Sequence, residues 1–207
     1  KWNLVYGEPP FFEKLNLKFI IFHYSIPPID YSNIDWFNHI FNKTDNTSQK
    51  RIAFFQDEYY HCRERFDFVN NSNISTIFTL LNEEHHDKVY FNNTKVKKVI
   101  TTLAGYVDDE LVQISNKLTK TLNKRKYDIG YRARELPFYM GKGAQEKTDI
   151  AKFFIKNPKD LNLNIKIKEE DRLYGEDWYV FLSECKATIG VEAGVSIFDI
   201  KGKIRKE

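Results

Sequence analysis

Three segments in the second half of the chain carry residue types suited to a phosphate group. Tyr131-Arg132-Ala133-Arg134 offers two guanidinium groups, whose planar fork matches paired phosphate oxygens. Gly141-Lys142-Gly143-Ala144-Gln145-Glu146-Lys147 sets two glycines where backbone N–H groups can approach an anion, with Lys147 a turn further on. Gly190-Val191-Glu192-Ala193-Gly194-Val195-Ser196 repeats the glycine pattern and adds a carboxylate, a group that suits ribose hydroxyls at a strand end. Each segment alone is a weak signal, since Gly-x-Gly without a third glycine is more often an ordinary turn. Together they supply cations and helix starts that can stabilise charge developing on a leaving diphosphate without a metal. No Asp-x-Asp occurs in the chain, so a metal clamp lacks its usual ligand pair.

Proton transfer points to other residues. Gln56-Asp57-Glu58-Tyr59 follows a strand directly, where polar groups of a parallel sheet meet a ligand, and Asp57 or Glu58 is a candidate base toward an acceptor hydroxyl. The competing role for Asp57 is to cap the next helix. His23, at another strand end, is the rival base, set against a histidine satisfied within the core. Arg172 and Asp171 precede Gly175 on a loop expected to overhang the second-half crevice. Either they form an ion pair that fixes the loop, or Arg172 faces a base or phosphate. Glu83-Glu84-His85-His86-Asp87 invites a metal, but adjacent helical histidines point about 100° apart and do not chelate; a solvated helix face is expected. Cys62, beside His61, and Cys185, on an apolar helix end, read as packing residues rather than nucleophiles.

The elements that must position these groups alternate strand and helix. Strands are expected at 18–24, ended by Pro27-Pro28, and at 51–56, 74–81 and 96–103; helices at 34–41, 83–90 and 108–126. The second half continues with strands at 127–132, 163–167 and 187–191. Between them lie an amphipathic helix with Glu146, Ile150, Phe153 and Phe154, its apolar residues expected toward the sheet, and a helix at 177–185 with Trp178, Phe181 and Leu182 on one side. This alternation predicts an α/β protein built on mostly parallel sheets. Division at 122/123 gives domains of 1–122 and 123–207.

Composition narrows the class. The 207 residues are 42% hydrophobic and 15% aromatic, enough for a buried core, which excludes wholesale disorder. Thirty-two Lys and Arg against 29 Asp and Glu leave +3, too balanced for a dedicated nucleic-acid binder. No run approaches the roughly 20 apolar residues of a membrane-spanning helix. Two distant cysteines make neither a disulfide framework nor a zinc spacing, and no basic-then-apolar leader follows Lys1. A cytoplasmic protein is expected, with peripheral contact at the inner membrane face compatible.

The string Ile129-Gly130-Tyr131-Arg132-Ala133-Arg134-Glu135-Leu136-Pro137-Phe138-Tyr139, followed by Gly143-Ala144-Gln145-Glu146-Lys147, resembles bacterial GT-B class glycosyltransferases of the surface-polysaccharide type. So do Glu169-Glu170-Asp171-Arg172-Leu173-Tyr174-Gly175-Glu176-Asp177-Trp178 and the run Phe181–Asp199, with shorter strings at Phe54–Tyr59, Phe78–Leu80 and Leu103–Val107. The resemblance implies two Rossmann-like domains facing across a cleft, the C-terminal one holding a nucleotide-diphosphate sugar and the N-terminal one receiving a carbohydrate or lipid-linked acceptor. It places Arg132 and Arg134 near the donor phosphates, Gly194 and Ser196 near the pyrophosphate at a helix start, and Glu192 near the ribose. It implies no resident cofactor and no metal. Ala193 and Val195 stand where that family carries other small residues, usually serine after the glutamate. Phosphate contact there is left to the backbone. GT-B domains are also longer than either half, so a shortened chain is expected.

Two other classes compete with that reading. A non-catalytic nucleotide- or carbohydrate-binding module would keep the fold without the reaction. A sugar-nucleotide epimerase is disfavoured, because no Gly-x-Gly-x-x-Gly follows the first strand and Tyr139 lacks a lysine four residues on.

Overall fold

The computed structural model describes residues 14–15, 17–25, 49–103, 105, 109–191 and 195–204. The chain forms two compact units, residues 1–105 with 199–207, and residues 106–198. Both are α/β with all-parallel sheets, an arrangement compatible with Rossmann-like domains. The expected helix at 34–41 and Pro27-Pro28 lie outside the described residues.

The first unit holds a four-stranded sheet of β1 (Phe19–Phe22), β2 (Lys50–Phe54), β3 (Thr76–Thr79) and β4 (Lys98–Thr101), its neighbours in chain order. Period-2 alternation sets its faces. Ala53 and Ile77 are paired in register and wholly buried, while their neighbours Phe54 and Phe78 stack at 4.5 Å on the opposite face. Helix α1 (Cys62–Asn71) crosses between β2 and β3 and buries Phe66, Phe68 and Val69; Phe68 meets Phe22 edge-on at 5.3 Å. No side chain caps α1: its N-cap is His61, so Asp57 is not the cap considered from the sequence. The expected helix at 83–90 is instead a 3-10 turn at Glu83–His85 and a π-helical turn at Asp87–Phe91. Val89 and Tyr90 in the π-helical turn are both buried.

The second unit opens with α2 (Asp109–Leu118), which packs on a later helix, α4 (Glu176–Glu184). The sequence places this helix with the first half; its packing places it with the second. It is also shorter than the expected 108–126, giving way to a 3-10 turn at Leu122–Lys124. There Arg125 folds back, its Nε donating to Lys120 O and its Nη1 to Cys185 O.

The three strands that follow, β5 (Tyr127–Arg132), β6 (Leu163–Lys166) and β7 (Cys185–Thr188), lie in the order β6-β5-β7. Helix α3 (Lys142–Lys156) joins β5 to β6, and α4 joins β6 to β7 on the other side of β5. Right-handed crossovers running in opposite directions put the two helices on opposite faces. α3 buries Ala144, Thr148 and Ala151, a stripe of small residues that brings the helix close, while Phe153 is 58% exposed rather than the core residue expected. On the other face, α4 lays Phe181 over Gly130, where an added Cβ would overlap Cys185 Sγ and come within 2.8 Å of Phe181 Cζ. β7 begins at Cys185, two residues before the expected strand, because α4 runs into it with no loop between.

Candidate functional site

Parallel strands deliver their carboxyl ends to one edge, and each sheet has its own. In the first unit β1 and β2 are neighbours, so His23 and the loop bearing Asp57 leave adjacent strands. His23 is exposed, its Nδ1 2.8 Å from Ser25 Oγ and its ring 3.9 Å from that of Tyr24. Asp57 is exposed in a left-handed conformation, φ 53°, with its carbonyl held by the Arg65 guanidinium.

Glu58 has the opposite environment. It is buried, and its carboxylate accepts from the hydroxyls of Thr79 and Tyr90 and from the Leu80 N–H. Burial, and next the Glu58 charge, hold the Tyr90 phenol well above its ordinary value, so it stays a donor. Arg65, also fully buried, donates to the carbonyls of Gln56, Asp57 and Tyr60 and lies over the Phe55 ring at 5.0 Å. These two side chains fix the loop after β2 to the ends of β3 and the π-helical turn. Glu58 thereby serves the shape of the edge, and Asp57 and His23 are the candidate bases that face solvent. Burial pushes the Cys62 thiol up to about 11, in keeping with a packing role.

The second edge carries the anion-binding candidates. The β6-β5-β7 order is the 2-1-3 arrangement of doubly wound sheets, whose ligand crevice opens between the first and third of these strands, here β5 and β7. The chain leaving β7 returns to the start of α3. Ser196 N–H donates to Met140 O at 3.0 Å, and Ser196 Oγ accepts from Gly143 N–H at 3.2 Å, acting as the cap that Gly141 cannot supply. Gly141 has φ 85°, and a Cβ there would overlap Ser196 Oγ and come within 2.9 Å of Ile197 Cγ1, so the close approach requires glycine. Gly143 and Ser196, separated by 53 residues in the chain, are thus brought together at one helix start. Lys147 is half-buried further along α3. Glu192 and Gly194 lie outside the described residues.

The arginines divide. Arg132 turns onto the α4 face, 4.1 Å over the Phe181 ring, and donates to Asn164 O and Oδ1 at 2.9 Å each. Desolvation lowers its pKa, and its buried Nε lacks a protein partner. Arg134 and Arg172 stay exposed and converge on one carboxylate: Glu169 lies 3.5 Å from Arg134 Nη1 and 2.8 Å from Arg172 Nη1. The Arg172 hydrogen bond, reinforced by Arg134, holds the Glu169 carboxyl below its ordinary range. Arg172 also lies 4.9 Å over the Tyr174 ring. Of the two roles weighed for Arg172, the ion pair is present, but with Glu169; Asp171 pairs with Lys166 at 3.6 Å. Glu169 was not singled out from the sequence, although its spacing three residues before Arg172 was visible.

No group of three or more His, Cys, Asp or Glu side chains among the described residues forms a metal-holding cluster, and His86 is buried with Nε2 near Leu81 O and Thr101 Oγ1. No described helix is long and apolar enough to cross a membrane. Comparison of the chain with family models, curated proteins and solved structures finds no significant match.

Proposed function

We propose that the chain is a metal-independent GT-B class glycosyltransferase, or a shortened form of one. It moves a sugar from a nucleotide-diphosphate donor to a carbohydrate or lipid-linked acceptor in surface polysaccharide synthesis. The observation that carries this reading is the carboxyl edge of the second sheet. A doubly wound crevice there is bordered by the arginine-bearing end of β5 and by a glycine start of α3 that the chain after β7 reaches back to touch. Helix start and guanidinium groups suit the diphosphate, whose negative charge grows as the sugar leaves. His23 or Asp57 of the first unit would take the acceptor proton.

Calorimetry with UDP, GDP, TDP and ADP on the intact chain tests the donor side. Saturable binding of at least one is expected, and absence of binding by folded protein would overturn the reading. A second reading, a binding module that has lost the reaction, is favoured by Glu58, whose hydrogen bonds remove it from the set of free bases. Release of sugar from the bound nucleotide sugar separates the two, since a module binds nucleotide and releases none.

A further inference from the structure

Seven charged side chains crowd the loops after β5 and β6, and their pairing is uneven. Lys166 has Asp171 at 3.6 Å, and Lys168 has Glu170 at 3.6 Å. Arg134 and Arg172 share Glu169. That leaves two fork-shaped cations around one carboxylate. One guanidinium charge is uncompensated locally, and each keeps N–H donors that Glu169 does not use. Arg134 is held from the end of β5, while Arg172 is held through Tyr174 and the 3-10 turn at Glu169–Asp171. The two heads are therefore presented together by different segments. A carboxylate set between two guanidinium groups is the geometry a phosphate would take, with more oxygens and more charge.

We propose that Glu169 is a built-in competitor: it occupies an anion site made by Arg134 and Arg172, and a diphosphate enters by displacing it. The proposal deepens the donor-binding reading and rests on it only for the identity of the natural ligand. The pyrophosphate moiety is the part recognised; the base and sugar are not. The site empties and fills by a side-chain movement, because Glu169 is exposed and gives up only its two surface ion pairs on leaving. Glu169 keeps the cations from holding chloride or other small anions, and lets the diphosphate go after transfer.

The test is calorimetry of the wild-type chain and of Glu169→Gln, Arg134→Gln and Arg172→Gln with inorganic pyrophosphate and with UDP, GDP, TDP and ADP. Glu169→Gln keeps shape and removes the competing charge, and its side chain is exposed, so folding is retained. The expected result is pyrophosphate affinity raised roughly two- to fivefold in Glu169→Gln, the range a surface ion pair supports. Each arginine variant should bind it at least fivefold more weakly. Unchanged or weaker pyrophosphate binding by Glu169→Gln overturns the proposal, as does binding indifferent to both arginines. The donor reading fails separately, when neither wild type nor Glu169→Gln binds any nucleotide while pyrophosphate still follows the expected order.

Discussion

Gly130 shows how closely the second unit is fitted. Gly130→Ala would drive a methyl group into Cys185 Sγ and Phe181 Cζ, both held between the sheet and α4. Overpacking of this kind costs about 1–3 kcal/mol, so the urea midpoint should fall with little change in slope. An unshifted midpoint would mean that α4 yields freely. At this scale the sequence was informative about residue type and uninformative about company. Glu58 could be read as a polar group after a strand, and Arg132 as a guanidinium at one. Their fates depend on Thr79, Tyr90, Asn164 and Phe181, which lie 21 to 49 positions away and are brought in only by strand pairing and helix packing. Arg134 and Arg172 were legible as phosphate-type cations; that one carboxylate would serve both was not.

Among elements, strands were read best, since short β-branched and aromatic runs between turn signals have few alternatives. The helices were misread where burial overrode periodicity, as at the π-helical turn that seats Val89 and Tyr90, or on α3, where small residues rather than Phe153 face the sheet. The amino ends of the second sheet are joined by one side chain. Asp128 on β5 accepts from Asn162 N–H before β6 and from Lys186 Nζ on β7, at 2.8 and 2.7 Å. The Lys186 hydrogen bond leads in holding this carboxyl below its ordinary value. A carboxyl group depressed in the folded state stabilises above its unfolded pKa and loses that contribution as pH falls through the folded one. Wild type should therefore be more stable than Asp128→Asn at pH 7. The gap in urea midpoint should close as pH is lowered from about 5 toward 2. A gap independent of pH would show that the effect does not depend on the charge of the Asp128 carboxylate.

For the molecule as a whole, each unit has its own sheet and its own buried cluster, which marks both as folding units. A fragment of residues 106–198 should unfold cooperatively in urea, followed by tryptophan fluorescence from Trp178, its one tryptophan. A broad, non-cooperative transition would show that the unit depends on the rest of the chain. The sheets also differ in winding. The described strands of the first run in sequence without reversal, so the rule that marks a crevice in the second marks none in the first. An acceptor would then depend on loop side chains such as His23 and Asp57, the segments most free to diversify. The direct passage of α4 into β7 sets the opposite condition. One residue inserted between Glu184 and Cys185 would swing the helix by about 100° or invert the strand's faces. That junction is a fixed gauge, and a library of single-residue insertions would keep it blank while filling the loop at 172–175 that leads into α4.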